Sequence, residues 1–517
     1  MCTHLRFSLM LFGLLLLAGC SRNPGNINTQ QMIQESIAAM GGAEKLKSIH
    51  MVVLQGKGTF TWLGEGANAG DPGPPATLQN LVEVYDYANG RAALEYDLLT
   101  WYHTRRREVL TKYGEGASAR PVGFVWRPDI GVVVQSPGAL FGFGYHTSPE
   151  IGMHRTYLTT VLDMSSAGAE SQMTEDREFA GKMRKFGSAK TKQGEPLDLY
   201  FDPATKLLVG YEVTETHPIM GDVRSTYTFE DFKPVDGVPF PRIVKRRGEV
   251  RNSADIQYTS VTFGENVLAE EMFAFPESLG REATKAVSGD YVPLQLFPVA
   301  PGVFQANGWS HGSMVVEFPR WLVVVEAPQG EIHTKVLNEL LKKQFPGKPV
   351  RYVATTHPHH DHIAGVRTFA GLGATILVEK NHAAAMKQIV DARHSYPPDE
   401  LERNRRSQQN VGAIEVYEGK KVVSDGGRTL ELYAFNPPHV PGVGDPSDTM
   451  VFAYLPGERV LFQSDSGSKP ILDAVTKLNL RPDQMLSGHG APQGLRPPAG
   501  GSGVTSFAAI ARSTGGP

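Results

Sequence analysis

Residues 356–365 read THPHHDHIAG, and within six of these positions stand the possible metal ligands His357, His359, His360, Asp361 and His362. Imidazoles and carboxylates are the side chains with which proteins bind divalent transition metals. His357 and His359 are two residues apart, so in an extended segment their rings project to the same side and can share one ion. Pro358 disfavours the helical conformation at His357 and keeps the segment extended.

The second half of this motif predicts another ion. Asp361 stands where a helix can begin, because apolar residues recur at helical spacing from Ile363 onward. His362 would then lie in the first helical turn and face away from the first two histidines, which implies a second ion beside the first. A purely structural role for Asp361 as the helix N-cap is the alternative, and both roles are compatible. His360 is interpreted as a bystander or a supporting donor.

The sequence on either side of the motif predicts alternating strands and helices. Trp321–Ala327 (WLVVVEA) is a continuous apolar run, and Val350–Thr355 is a second strand that leads into the motif. Between them, Ile332 to Leu341 carries apolar residues at helical spacing. Strand, helix, strand indicates an α/β layer.

In the amino-terminal half, the sequence predicts mainly strands instead of alternating strands and helices. Thr29 to Met40 is predicted to be a short amphipathic helix with Thr29 as N-cap and Gly41 as its stop. Met51–Trp62 and several later runs with alternating apolar residues, such as 207–213, predict strands. The pattern favours a mostly antiparallel sheet.

Composition limits the classes of partner. Lysine plus arginine number 51 and aspartate plus glutamate 54, so the formal charge is −3 and no strong field favours polyanions such as nucleic acids. The only cysteines are Cys2 and Cys20, so a chain processed before Cys20 has no pair for a disulfide.

The first residues predict a targeting signal. Arg6 precedes the apolar or small run Phe7–Ala18, which is too short to cross ~30 Å of hydrocarbon, and small residues lead to Cys20. The segment resembles a bacterial lipoprotein signal, whose box is cut before the cysteine and whose cysteine is lipidated. An ordinary secretory signal is the alternative. By the same resemblance, Ser21 points to the outer membrane, with the protein facing the periplasm.

The motif at 357–362 resembles the HxHxDH signature of the metallo-β-lactamase superfamily, an αββα sandwich, over about Val292 to Leu495. The resemblance implies that His439 completes the first metal site, that His489 completes the second and that Asp465 bridges both ions. Glu326 stands where the superfamily more often has aspartate. The implied ligand set is His357, His359 and His439 at one ion, and Asp361, His362 and His489 at the other.

The same resemblance implies a mechanism. Two divalent ions would hold a hydroxide between them that attacks a carbonyl or phosphoryl group, with Asp361 as the catalytic residue that orients the water or accepts its proton. Nitrogen-rich sites suit zinc, and the ligand types also allow iron or manganese. The pattern is closest to glyoxalase II-like hydrolases, lactonases and related esterases, whose substrates are small molecules.

Two further polar residues are interpreted as lying on the surface, His311 and Lys469. His311, in GWSHGSM, is interpreted as a surface-loop histidine, with the mouth of the metal site as the alternative position. Lys469 is interpreted as a solvated surface lysine, with a substrate carboxylate as the alternative partner.

The amino-terminal half also resembles the half-barrel carriers of lipoproteins (LolA/LolB-like), through GGAEKLKSIHMVVLQGKG and DFKPVDGVPFPRIV. In that fold a concave apolar face holds an acyl chain, and Trp62, Trp101, Tyr102 and Trp126 could line it. Ordinary core packing of these aromatics is the favoured interpretation.

The predicted fold class is therefore α+β, with an antiparallel β half-barrel followed by an αββα sandwich. Its divisions are a signal peptide at 1–19, a tether at 20–28, a β-rich domain at 29–287, a metal-binding domain at 288–496 and a disordered tail at 497–517. The leading functional hypothesis is an envelope-anchored dinuclear zinc hydrolase acting on an ester, thioester, lactone or amide. The alternatives are a lipid-trafficking lipoprotein with a structural metal site and, as a minor option, a redox di-iron centre.

Overall fold

The structure is a computed structural model, and the part of the chain that it describes has these ranges: 28–61, 75–99, 103–113, 121–127, 132–134, 156–166, 175–191, 196–248, 253–264, 267–274, 294–307, 311–328, 330–395, 398–437, 449–489 and 504–507. The expected signal peptide, Cys20 and most of the tether lie outside these ranges, as do Trp62, Trp101 and Tyr102 and the side chain of Trp126. Across these ranges, no helix combines the length and the apolar character needed to cross a membrane.

The described chain begins with helices α1 (Thr29–Ala39) and α2 (Ala43–Lys47). The N-cap of α1 is Asn28, not Thr29 as expected from the sequence. The Asn28 side chain accepts a hydrogen bond from the Gln31 N–H over 2.8 Å, while Thr29 is fully buried. An asparagine oxygen satisfies the exposed helical N–H in the same way as a threonine would.

The amino-terminal domain is built on one antiparallel sheet of thirteen strands, in the order β6-β5-β4-β3-β2-β1-β13-β12-β11-β10-β9-β8-β7. The strands are β1 (Met51–Phe60), β2 (Ala76–Asp86), β3 (Arg91–Leu99), β4 (His103–Tyr113), β5 (Pro121–Arg127), β6 (Val132–Val134), β7 (Glu175–Phe179), β8 (Lys182–Lys190), β9 (Pro196–Phe201), β10 (Leu208–His217), β11 (Gly221–Val235), β12 (Val238–Gly248) and β13 (Ser253–Phe263). Successive residues along these strands point to opposite sides of the sheet, and apolar residues form a large core on one side, the main apolar face, and smaller cores on the other.

Helices fill that apolar face. Helix α3 (Tyr157–Ser166) packs beside α1, and side chains of both helices belong to the main core of the domain. The Tyr157 ring meets Phe229, Phe232 and Phe240 edge-on, with centroids 5.3–5.7 Å apart. On the opposite face of the sheet, helix α4 (Val267–Phe273) covers a smaller core over β3 and β4. The antiparallel sheet is confirmed, and the relation to lipoprotein carriers stays a prediction.

The carboxy-terminal domain contains two sheets. The first runs in chain order: β14 (Gln295–Ala300), β15 (Val303–Asn307), β16 (Ser313–Glu317), β17 (Leu322–Val325), β18 (Val350–Ala354), β19 (Thr375–Glu379) and β20 (Ile414–Tyr417). The second also runs in chain order: β21 (Lys420–Asp425), β22 (Arg428–Phe435), β23 (Met450–Leu455), β24 (Val460–Gln463), β25 (Gln484–Ser487) and β26 (Val504–Ser506). Strands β17 to β20 are parallel, as are β24 and β25.

Three cores make this domain a four-layer αββα sandwich, as the sequence analysis expected. The helices are α5 (Glu331–Gln344), α6 (His360–Ile363), α7 (Val366–Gly371), α8 (Ala383–Asp391), α9 (Glu400–Arg406) and α10 (Ser468–Lys477). One core joins α5, α7 and α8 to the first sheet, a second joins the two sheets, and a third joins α10 to the second sheet. The sheets therefore face each other with helices outside.

The two domains share a buried contact. The turn between β10 and β11 inserts Ile219, which has no exposed surface, into the carboxy-terminal core. Beside it, the Asp222 N–H donates to the Arg393 carbonyl, and the Ser395 N–H donates to the Asp222 carboxylate, both over 2.7 Å. Gly221 has a φ of +72°, and a Cβ there would meet the Arg393 carbonyl.

Two details differ from the sequence expectations. The tail from 497 was expected to be disordered, but Val504–Ser506 form β26, antiparallel to β25. The β-branched Val504 and Thr505 favour a strand. The helix after Asp361 is divided at Gly365, where a Cβ would clash with Thr334, so α6 and α7 replace one continuous helix.

Candidate metal centre

The site lies where strands of both sheets end. Glu326 follows β17, His357 comes shortly after β18, Asp465 follows β24, and His489 follows β25. Because β17 and β18 are parallel, as are β24 and β25, the carboxyl end of each pair opens at one edge. The Val451 N–H donates to the Thr356 carbonyl over 2.9 Å and joins the two sheets beside the site.

A first group of ligand atoms comes from His357, His359 and Asp465. Asp465 Oδ2 lies 3.4 Å from His357 Nε2 and 3.8 Å from His359 Nδ1. Both histidine rings are buried, with centroids 4.5 Å apart. The two histidines therefore face the same point, as their spacing around Pro358 predicts.

A second group consists of His311, Asp361, His362 and His489. His362 Nε2 lies 3.5 Å from Asp361 Oδ2 and 3.2 Å from His489 Nε2. The two groups adjoin, because the ring centroid of His362 is only 4.5 Å from that of His357, so the change of direction expected at Asp361 is small. The nitrogen and oxygen atoms of all four side chains lie within 4.8 Å of one another.

Asp465 lies between the two groups and presents one oxygen to each. Its Oδ2 faces His357 and His359, while its Oδ1 lies 3.2 Å from His362 Nε2 and 2.7 Å from His489 Nε2. A carboxylate in this position can bind one ion through each oxygen. The geometry is the one that a bridging ligand requires.

Glu326 supports His362 from behind. The ring Nδ1 of His362 lies 3.0 Å from Glu326 Oε2, and the Thr356 hydroxyl donates to Glu326 Oε1 over 2.5 Å. Glu326 has a φ of +67°, and a left-handed conformation at a residue other than glycine is typical of functional sites. Its N–H donates to the Ala354 carbonyl, which fixes it against β18. The role that the sequence left open is therefore orientation of His362.

The electrostatics of the site favour ionised carboxylates. Burial would raise the pKa of Asp361 and of Asp465, but the surrounding histidines, with His362 the strongest of them, together outweigh burial and hold both well below the usual value. Burial likewise opposes ionisation of Glu326, yet the His362 ring keeps its pKa below the ordinary value. Burial lowers the pKa of His357, so this ring favours its neutral, metal-binding form.

These residues fit divalent metal ions. Among the described residues, Asp361 Oδ1 is buried and accepts no hydrogen bond, which leaves a lone pair available inside the site. Imidazole nitrogens and carboxylate oxygens converge from two directions, and no thiolate takes part in either group. This donor set suits zinc, and it also accommodates iron or manganese.

The structure brings together every predicted ligand that it describes: His357, His359, Asp361, His362, Asp465 and His489. His439 lies outside the described residues, so its assignment stays a prediction. His360 belongs to neither group. Lys469 forms an ion pair with Asp473 on an exposed face of α10, in keeping with a solvated lysine.

His311 was interpreted as a surface-loop histidine, and this was wrong. Its side chain is 5% exposed, and its Nε2 lies 3.0 Å from Asp361 Oδ2. The alternative, that His311 lies at the mouth of the metal site, is closer to its observed position. The available signal was Gly312, because a glycine between a histidine and a strand permits close approach to a neighbouring chain segment.

Comparisons with known proteins agree with this site. Residues 326–502 match the family model described as the metallo-beta-lactamase superfamily. Solved structures similar to this chain include a metallo-beta-lactamase from Pontibacter korlensis (14% identity, covering 43% of this chain and 97% of that chain, TM-score 0.31). Another is the metallo-beta-lactamase FIM-1 from Pseudomonas aeruginosa in its mono-zinc form (14% identity, covering 44% of this chain and 98% of that chain, TM-score 0.29). No curated protein sequence matches the chain.

TM-scores near 0.3 add no argument, so the assignment rests on the family match and on the fold. The matched residues begin at Glu326 and include the HxHxDH motif, Asp465 and His489. A domain of this superfamily supports a metal-dependent hydrolase. Residues 326–502 of this chain are thus a metallo-β-lactamase superfamily domain.

Proposed function

We propose that this protein is a dinuclear zinc hydrolase, tethered to the bacterial cell envelope, that cleaves an ester, thioester, lactone or amide. The observation that carries the proposal is the position of Asp465, whose two oxygens face two separate groups of histidines. A single structural ion would need only one such group. Two groups joined by one carboxylate favour a pair of ions.

The residues divide between the two ions as follows. His357 and His359 would hold one ion, together with His439 as the sequence predicts, and Asp361, His362 and His489 would hold the other. Asp465 would contribute one oxygen to each. When bound, two zinc ions supply Lewis acidity and lower the pKa of water towards ~7, which provides a nucleophile at neutral pH.

Asp361 is the residue suited to orient the attacking water. Its Oδ1 is buried with no hydrogen-bond partner among the described residues, and its pKa is held well below the usual value. An ionised oxygen in this position can accept a hydrogen bond from an attacking water and orient it, which is the role that the low pKa of Asp361 supports. Glu326 meanwhile keeps His362 in the orientation that presents Nε2 to the site.

The envelope location rests on the sequence alone. The Leu17-Ala18-Gly19-Cys20 segment supports lipidation at Cys20, and Ser21 supports the outer membrane. Labelling with a radioactive fatty acid tests this, because a Cys20→Ser variant should lose both the label and the membrane fraction. Label retained by that variant would contradict the anchor.

Helices α1 and α3 occupy the apolar face of the amino-terminal sheet, where a carried acyl chain would lie in the lipid-trafficking alternative. Nothing in the described residues of that face favours the alternative over the hydrolase. Extraction and mass spectrometry of co-purified lipid is the direct check. A stoichiometric acyl lipid together with no hydrolysis would favour the carrier.

The hydrolase is tested with purified full-length protein and a panel of chromogenic esters, thioesters, lactones and amides. We expect turnover of at least one class, abolished by a chelator and restored by Zn²⁺, and lost in His359→Ala. Lys469→Ala is the matched control, because Lys469 lies on an exposed helix and pairs with Asp473. Turnover that survives both the chelator and His359→Ala would overturn the proposal. Metal analysis distinguishes zinc from iron or manganese.

A further inference from the structure

We propose that His311 is an additional ligand of the second ion, beside Asp361, His362 and His489. This inference rests on the proposed metal pair and deepens it. His311 precedes the residues 326–502 that match the superfamily, so the family assignment does not predict it. The backbone holds His311 beside His489, and its ring lies among the predicted ligands of the second ion.

The backbone around His311 is tied to the segment that carries His489. The Gly312 N–H donates to the Gly488 carbonyl over 2.7 Å, and these glycines adjoin the two histidines. A Cβ at Gly312 would meet the side-chain amide of Gln305 and lie 2.9 Å from the Ala306 carbonyl. The approach is therefore open only to a residue without a side chain. This contact fixes His311 opposite His489.

The ring of His311 lies among the rings of the predicted ligands. Its centroid is 4.3 Å from that of His489 and 5.0 Å from that of His362, and its Nε2 is 3.0 Å from Asp361 Oδ2. The ligand atoms of the four side chains lie within 4.8 Å of one another. Neighbouring donors on a tetrahedral zinc ion bound at about 2.1 Å are ~3.4 Å apart, close to the 3.0, 3.5 and 3.2 Å found among these ligand atoms, so only small adjustments would place them on one ion.

The alternative is that His311 only positions Asp361 through a hydrogen bond. Glu326 shows how a supporting residue is placed in this site, because it lies behind His362 and contacts the ring Nδ1, away from His489. His311 instead turns its Nε2 towards Asp361, inside the group of converging ligand atoms. The Nε2 of His311 thus lies among the imidazoles of His362 and His489 and the carboxylate of Asp361. This is the position of a metal ligand.

The test measures metal binding rather than turnover. Full-length protein freed of metal is titrated with Co²⁺ and with Zn²⁺ against a competing chelator, and the absorption of each Co²⁺ equivalent is recorded. In His311→Ala we expect the affinity for the second equivalent to fall more than ~100-fold, beyond the ~10–100-fold typical of losing a supporting residue. The first equivalent should keep its affinity. The Co²⁺ absorption of the second equivalent should change, and added imidazole should restore part of the binding.

His394→Ala is the matched control, because His394 is also a buried histidine of this domain but pairs with Asp399 away from the site. His311→Asn, closer in volume, serves if His311→Ala does not fold. Unchanged affinity for the second equivalent would overturn the inference. So would a weakened affinity with an unchanged Co²⁺ spectrum and no response to imidazole, which would make His311 a positioning residue. Wild-type protein that binds only one equivalent would overturn the proposed metal pair itself, so the two failures are distinguishable.

Discussion

Glu326 and His362 form a fully buried carboxylate–imidazole pair, with Glu326 Oε2 3.0 Å from His362 Nδ1. In the neutral form that binds metal, His362 would keep its proton on Nδ1, which faces the carboxylate, and would direct the lone pair of Nε2 towards Asp465 and His489. The same contact explains the low pKa of Glu326 despite its burial. One residue at the end of β17 thereby sets the chemistry of a ligand that follows β18.

We expect Glu326→Gln to weaken binding of the second metal ion ~10–100-fold, because an amide oxygen removes the negative charge that orients His362. Competition with a chelator measures this affinity. Glu379→Gln is the control, since Glu379 is equally buried but accepts a hydrogen bond from the Asn381 N–H. Equal metal affinity in Glu326→Gln and the wild type would show that His362 does not depend on the pair.

We expect Gly488→Ala to disturb the same pair from the other side. A Cβ at Gly488 would lie 2.5 Å from Glu326 Oε2 and 3.1 Å from the Ser464 hydroxyl. Moving a buried carboxylate to make room typically costs about 1–3 kcal/mol and should also weaken the second metal ion. Urea unfolding and chelator competition give the two quantities. Gly457→Ala, where a Cβ meets nothing within 4 Å, should change neither, and an equally silent Gly488→Ala would contradict the expected contact.

The sequence predicted the parts of the site whose ligands lie close together along the chain or at the ends of recognisable strands. His357 to His362 are contiguous, and the strands that end at Asp465 and His489 are apolar runs bounded by polar or glycine residues. The resemblance to the superfamily implied Asp465 and His489, and their places at strand ends explain why they meet the motif, because the ends of parallel strands gather at one edge. The resemblance also singled out Glu326, without a role.

The remaining parts depend on contacts between distant segments. His311 reaches the site through the hydrogen bond from Gly312 to Gly488, and no local periodicity contains that contact. The role of Glu326 depends on a left-handed backbone conformation and on the Thr356 hydroxyl, neither of which is visible in the sequence. The strand at Val504–Ser506 depends on β25 offering an edge, which short-range composition does not show.

We expect Ile219→Ala to destabilise the carboxy-terminal domain although Ile219 lies in a turn of the amino-terminal domain. Its side chain has no exposed surface and lies in the core with Leu337 and Phe369. Truncation of a buried isoleucine typically costs about 2–5 kcal/mol. Urea unfolding followed by limited proteolysis measures the loss and locates it. Met183→Ala, at an exposed position, should be neutral, and a loss below ~1 kcal/mol in Ile219→Ala would contradict the inserted turn.

We expect acid to destabilise the carboxy-terminal domain through His394. Burial and then the charge of Arg367 lower the pKa of His394 to about 4, whereas an unfolded histidine titrates near ~6.5. Between these values the unfolded chain binds the extra proton, so this contribution is complete above pH ~6.5 and is lost as the pH falls towards about 4. The loss is on the order of 3 kcal/mol. Urea unfolding of metal-free protein across this range should give a shallower pH dependence for His394→Asn than for the wild type. His50→Asn, at an exposed histidine, should follow the wild type, and parallel curves for His394→Asn and the wild type would refute the assignment.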